Sequence, residues 1–178
     1  MATGSEMGSF SEHGVFLVVQ KIGLLLRGPA GIGKSTLALE LIERGHQFVS
    51  DDVIDFSYDN ESQQFIAQSP KMLNGLLAVR DLGILNVTEI FQAKQLLDKY
   101  PLQLIVDLTE ANMVTENNPF IPYSKLDFHG QDMARQYIYA HPKRNLAVIV
   151  ETAVKNYILD QSGNKAGQLL IQRQQQYL

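Results

Sequence analysis

The chain has 178 residues, 45% of them apolar, and carries a net charge of -4 with no cysteine. That length can bury a full core as one domain over residues 1–178. The missing thiols exclude disulfides, thiol catalysis and Cys-type zinc sites. With no basic cluster, neither nucleic acid nor a membrane surface is the expected partner.

Residues 1–12 are polar and rich in small side chains, and they are expected to be disordered. They lack the basic start and apolar stretch of a signal peptide. No apolar run approaches the roughly 18 residues of a membrane span, so the cytoplasm is the expected compartment. The apolar runs 15–19 and 22–26 predict two strands joined tightly near Gly23. A glycine-rich turn at 28–33 precedes a helix over 34–44, for which Gly45 suits the C-terminal cap. Phe48 and Val49 predict a strand that ends at Ser50-Asp51-Asp52. Residues 53–70 alternate as short strands do, and 73–87 predict a loop with short elements.

Residues 87–99 predict a helix ended by Pro101, and 102–108 a buried strand. The polar stretch 111–129 predicts a mobile loop, and 134–140 a strand. The helix expected over 145–159 has an apolar face too broad for a simple surface helix, so it is buried or sits at a subunit interface. Gly163 lies just past its end, and the glutamine-rich tail 168–178 predicts a further helix. Together these elements predict an α/β fold: a mixed sheet with flanking helices and extra β-hairpins.

The segment Gly28-Pro29-Ala30-Gly31-Ile32-Gly33-Lys34-Ser35 matches GxxxxGK[ST]. Glycines let backbone N–H groups turn toward phosphate oxygens without a Cβ clash. The helix that follows aims its positive end at the same oxygens. Residues 28–36, through Thr36, are thus the expected nucleotide cradle. Lys34 would reach the β- and γ-phosphates of ATP, and the Ser35 hydroxyl would ligate Mg²⁺. Such a site needs a carboxylate near the metal or the attacking group. Asp51 and Asp52, at a strand end after the P-loop helix, are the candidates. Adjacent strand residues face opposite ways, so one can serve the phosphates while the other supports structure. His13 opens the first strand; on residue physics alone a lone histidine is more often structural than catalytic.

Glu12-His13-Gly14-Val15, the P-loop and Gly45-His46-Gln47-Phe48-Val49-Ser50-Asp51-Asp52 resemble the HPr kinase/phosphorylase family. Leu77-Ala78-Val79-Arg80-Asp81-Leu82-Gly83-Ile84 and Pro142-Lys143-Arg144-Asn145-Leu146-Ala147-Val148-Ile149-Val150-Glu151 extend the resemblance in the same order. The resemblance implies transfer of the ATP γ-phosphoryl group to a serine of HPr, the phosphocarrier of the sugar phosphotransferase system. It also implies the reverse step, with inorganic phosphate consumed and pyrophosphate formed, and a hexameric assembly.

On this resemblance Asp52 is the proton acceptor, with His13, Lys34 and Lys125 as catalytic partners and Asp51 beside the metal. Arg80 and Arg144 are phosphate or partner contacts. The chain departs from the pattern at four points. Ala78 stands where the family carries a metal-binding glutamate, leaving Asp81 as the candidate replacement. Lys125 stands for an arginine and loses its bidentate fork. His141 lies nearest to another family arginine, and Lys143 replaces a glycine. The N-terminal domain of larger members is expected to be absent. Two other readings fit these residues: a P-loop kinase of the same fold with another protein or small-molecule acceptor, and a nucleotide-binding regulator without turnover.

Overall fold

A computed structural model describes residues 8–110 and 118–177. Ten strands and four α-helices alternate along them: β1 (Phe10–Val19), β2 (Ile22–Arg27), α1 (Lys34–Glu43), β3 (Gln47–Asp59), β4 (Gln64–Gln68), β5 (Leu76–Val79), β6 (Gly83–Asn86), α2 (Val87–Ile90), β7 (Lys99–Pro101), β8 (Leu104–Thr109), β9 (Ser124–Phe128), β10 (Gln131–Tyr139), α3 (Leu146–Gln161) and α4 (Ala166–Gln176). Eight strands form one sheet in the order β7-β4-β3-β1-β2-β8-β10-β9, and β5 pairs β6 in a separate hairpin. β2, β8 and β10 run parallel, while the other pairs are antiparallel. The α/β mixed sheet with added hairpins is as expected.

Strand alternation sorts the core onto two faces. Leu24 and Leu26 of β2, with Leu104, Val106 and Leu108 of β8, face Leu37 and Leu41 of α1 and Val150 and Val154 of α3. Leu25 and Ile105 point the other way, into a second core built around Phe16, Phe56, Phe65 and Phe128. The sheet curls until Phe128, on one edge strand, meets Phe65 at 5.4 Å between ring centres near the other edge. Each such fully buried side chain contributes about 1.5–3 kcal/mol of transfer free energy.

Several local expectations give way. The β1–β2 turn is Gln20-Lys21, both at positive φ as a type I′ turn requires. Gly23 instead lies within β2, where a Cβ would stand 1.8 Å from the Pro101 carbonyl oxygen. β3 does not end at the acidic pair. It bulges at Val49, between the pairs Phe16↔Ser50 and Leu17↔Phe48, and continues to Asp59.

The helix expected over 87–99 is one turn. The Asn86 side chain caps it, Phe91 leaves it extended, and the buried Gln95 amide donates to Ile42 O, pinning the chain before β7, where Pro101 is a strand residue. Phe10, Ser11 and Glu12 are β1 residues rather than a disordered tail, and residues 1–7 lie outside the described residues. Part of the expected 111–129 loop is strand β9, and 111–117 lie outside the described residues.

The helix after the P-loop ends at the glycine predicted to cap it, and the helix expected over 145–159 runs from Leu146 to Gln161. Gly45 N–H donates to Ile42 O and His46 N–H to Leu41 O, a Schellman cap with Gly45 at φ 93°. Asn145 caps α3, its Oδ1 accepting from Val148 N–H at 3.1 Å. α3 buries Ala147, Val150, Ala153, Val154 and Tyr157, whereas α4 buries none of its residues. No helix among the described residues is long and apolar enough to cross a membrane.

Candidate active site

The P-loop leaves the sheet at Arg27, whose guanidinium is held by both Asp107 oxygens at 2.8 and 2.9 Å on the neighbouring parallel strand β8. This fork fixes where the loop begins. At Gly28 a Cβ would stand 2.7 Å from the Leu108 carbonyl oxygen, so only glycine fits. Gly31 and Gly33 take φ 80° and 102°. No side chain caps α1 and no acidic residue lies in its first turn, so its N-terminal amides and positive end face the loop uncompeted. Lys34 Nζ donates to the carbonyls of Gly28 (2.8 Å) and Pro29 (3.1 Å), which folds the ammonium across the cradle.

Asp51 is buried beside this cradle. Its Oδ1 accepts from Ser35 Oγ and its Oδ2 from Ala78 N–H, each at 3.0 Å. Burial pushes the Asp51 carboxyl above its usual range, and those two donors oppose the shift. The expected metal pair Ser35 and Asp51 is thus in contact. The strand geometry that delivers Ala78 N–H to Asp51 also places a methyl group where the resemblance leads one to look for a carboxylate. Asp81 stands at φ 71° in the β5–β6 turn and joins no cluster of three metal-ligating side chains among the described residues.

Asp52 sits at φ 68° in mid-strand, opposite Gly14. The residue thus leaves the regular pleat and exposes its carboxylate instead of burying it in the sheet. His13 Nδ1 approaches the Asp52 carbonyl oxygen at 3.1 Å and Asp52 Oδ1 at 3.8 Å. A carbonyl only accepts, so Nδ1 carries the proton and Nε2 is left outward. The structure therefore joins His13 to Asp52, a contact that spacing alone does not show.

Arg80 lies within reach of the P-loop: a Cβ on Gly31 would stand 3.9 Å from its Nη2. Arg144 donates from Nη1 to Tyr139 O at 2.9 Å. It lines a cleft of about 800 Å³ between α1 and the segment joining β10 to α3, with Gly33, Thr36 and Glu40 on the opposite wall.

Lys125 is not brought to this site. The register Leu24↔Leu104↔Ala134↔Lys125 sets it level with Leu24, three residues before the P-loop exit, and its Nζ pairs with Asp132 at 3.0 Å. Asp107 and Glu151, in contrast, hold the site's framework without having been singled out from sequence. The signal for Asp107 is a carboxylate inside the apolar run LIVDLT of β8; for Glu151 it is a carboxylate within the apolar face of α3.

The chain matches the family described as HPr Serine kinase C-terminal domain over residues 7–174. It is 40% identical over 166 residues to the HPr kinase/phosphorylase of Leptothrix cholodnii, covering 92% of this chain and 50% of that protein. To the HPr kinase/phosphorylase of Chromobacterium violaceum it is 39% identical over 169 residues, 93% of this chain and 53% of that one. The chain thus spans about half the length of the curated relatives it matches. The solved structure of the Hpr(Ser) kinase/phosphatase from Coxiella burnetii superposes with a TM-score of 0.82 at 34% identity, covering 90% of this chain and 98% of that one. With a P-loop, an acidic pair and a histidine arranged on that shared fold, the chain belongs to the HPr serine kinase C-terminal domain family.

Proposed function

We propose that the chain transfers the γ-phosphoryl group of ATP to a serine hydroxyl of HPr or an HPr-like phosphocarrier. The observation that carries this reading is the convergence of three groups on the neighbouring strands β2, β1 and β3: the P-loop cradle, Asp51 on Ser35, and Asp52 beside His13. The amides of residues 28–36 and Lys34 would bind the phosphates, and Arg80 lies close enough to add charge. The α1–α3 cleft beside Thr36 and Arg144 would take the adenosine.

Asp52 is exposed and adjacent to the cradle, as a base for an incoming protein side chain must be. The serine Oγ attacks the γ-phosphorus, its proton passes to the Asp52 carboxylate, and the bond to the β–γ bridging oxygen breaks to release ADP. His13, with Nδ1–H donated to the Asp52 carbonyl oxygen, holds the turned backbone that presents that carboxylate.

The donors fit Mg²⁺, a hard ion that accepts one or two carboxylates with hydroxyl, water and phosphate oxygens. Ser35 and Asp51 would hold it, and bound there it would supply neutralisation of phosphate charge. The Ala78 methyl removes a further oxygen donor, which favours the kinase direction over phosphorolysis. Self-association of the kind the resemblance implies is supported by Leu169, Leu170 and Ile171, exposed on α4. Light scattering of the purified protein reads it.

Purified HPr incubated with the protein, ATP and Mg²⁺ should gain one phosphoryl group by mass, on serine. Nucleotide binding without any transfer would instead favour a regulator, and transfer to another acceptor a related kinase. Phospho-HPr with inorganic phosphate should release pyrophosphate more slowly than the forward reaction consumes ATP.

A further inference from the structure

Glu151 is a carboxylate on the inner side of α3, one turn beyond Ala147, which lines the cleft. Only 13% of its side chain is exposed, and three donors surround it. Arg44 Nε reaches Oε1 at 2.8 Å and Arg44 Nη2 reaches Oε2 at 2.6 Å, a bidentate fork. His46 Nε2 reaches Oε1 at 2.8 Å. These donors come from the C-cap of α1 and from the residue that precedes β3.

One carboxylate therefore ties together the P-loop helix, the lead into the strand that carries Asp51 and Asp52, and the helix that follows Arg144. Its acidity agrees with the geometry: the Arg44 and His46 donors hold the carboxyl down at about 2. Arg44 also lines the cleft, so the clamp closes the end opposite Gly33 and Thr36.

We propose that Glu151 is a positioning residue for nucleoside binding: by gripping Arg44 and His46 it fixes the spacing of α1 and α3, and with it the width of the cleft. The inference rests on the reading that this cleft takes adenosine. The helices meet through small and aliphatic side chains such as Leu37, Ala147 and Val150, which can slide. The bidentate fork cannot slide without breaking. Glutamine at 151 has nearly the same volume but turns an NH₂ toward donors that need an acceptor, so one contact becomes repulsive. The P-loop is built by its own glycines and by Arg27–Asp107, neither of which touches Glu151. Loss of the clamp should therefore weaken binding of the nucleoside part of ATP and spare that of the phosphates.

The test is calorimetric titration of the full chain with ATP and with pyrophosphate, both in Mg²⁺, for wild type, Glu151→Gln and Arg44→Lys. Arg44→Lys keeps the charge and loses the fork, and it carries the test if Glu151→Gln does not fold. Glu151→Gln should raise the Kd for ATP about ten-fold and leave that for pyrophosphate within about two-fold. Arg44→Lys should do the same to a smaller extent. In transfer assays KM for ATP should rise while kcat at saturation is kept. Variants that bind both ligands as wild type does, or lose both equally, would overturn the proposal. Wild-type protein that binds pyrophosphate but gains nothing from the nucleoside would overturn the assignment of the cleft and the proposal with it. Wild-type protein that binds neither would overturn the P-loop reading itself.

Discussion

His13 Nδ1 lies 3.1 Å from the Asp52 carbonyl oxygen, and Asp52 reaches that position by adopting φ 68° inside a strand. Left-handed backbone costs a non-glycine residue about 1 kcal/mol, and such strain concentrates at functional sites. Asp52→Gly should therefore raise the denaturation midpoint, by about 0.5–1 kcal/mol in stability, while phosphoryl transfer falls by about 10²–10⁴-fold. Urea titration and a transfer assay on the same preparation check both halves. A variant that is less stable would show that the turned backbone is not strained.

Ser35 and Ala78 both donate to Asp51, so a side chain added at 78 starts beside the proposed metal position. Ala78→Glu should tighten Mg²⁺ binding in the presence of ADP by about ten-fold, the scale on which single groups around a metal act. Asp51→Asn should weaken it by at least as much. Calorimetric titration with Mg²⁺ reads both.

The Glu151 carboxyl is held at about 2 in the folded protein, against an ordinary value of 4.5. Its folded-state value lies below its unfolded one, so the stability it contributes is complete above pH 4.5 and is lost as pH falls toward about 2. Denaturation midpoints measured across that window should fall with acid in the wild type. The part of the fall due to this group should be missing in Glu151→Gln, whose curve should be flatter there.

Gly23 permits β7 to lie against β2, because a Cβ there would stand 1.8 Å from Pro101 O and 3.0 Å from the Tyr100 ring. Gly23→Ala should cost about 1–3 kcal/mol of stability through overpacking and leave the Kd for ATP unchanged, since the contact lies away from the P-loop. Thermal melts and nucleotide titration separate the two effects.

The fold class and the cradle were legible because their signals are local. GxxxxGK[ST] sits between an apolar strand and a helix, and the cap at Gly45 follows from backbone geometry. The Asp52–His13 contact was not legible, since it depends on β1–β3 register and on one residue turning out of the pleat. The helix expected over 87–99 failed because Gln95 is pinned from outside its own segment, by Ile42 O. Lys125 matches a family position by order along the chain, yet strand register sets it level with Leu24 and pairs it with Asp132. The role of Glu151 is not legible in the sequence, because its partners Arg44 and His46 lie over a hundred positions away.

The central claim is that Asp52 takes the proton of an HPr serine as the γ-phosphoryl group is transferred. Asparagine tolerates the same left-handed backbone, so Asp52→Asn removes the base and keeps the site's shape. Initial rates of labelled-phosphate transfer from ATP to HPr, measured with nucleotide affinity on the same samples, test the claim most directly. The account predicts a loss of about 10²–10⁴-fold in rate at unchanged ATP affinity. An Asp52→Asn rate within a few-fold of wild type would contradict it.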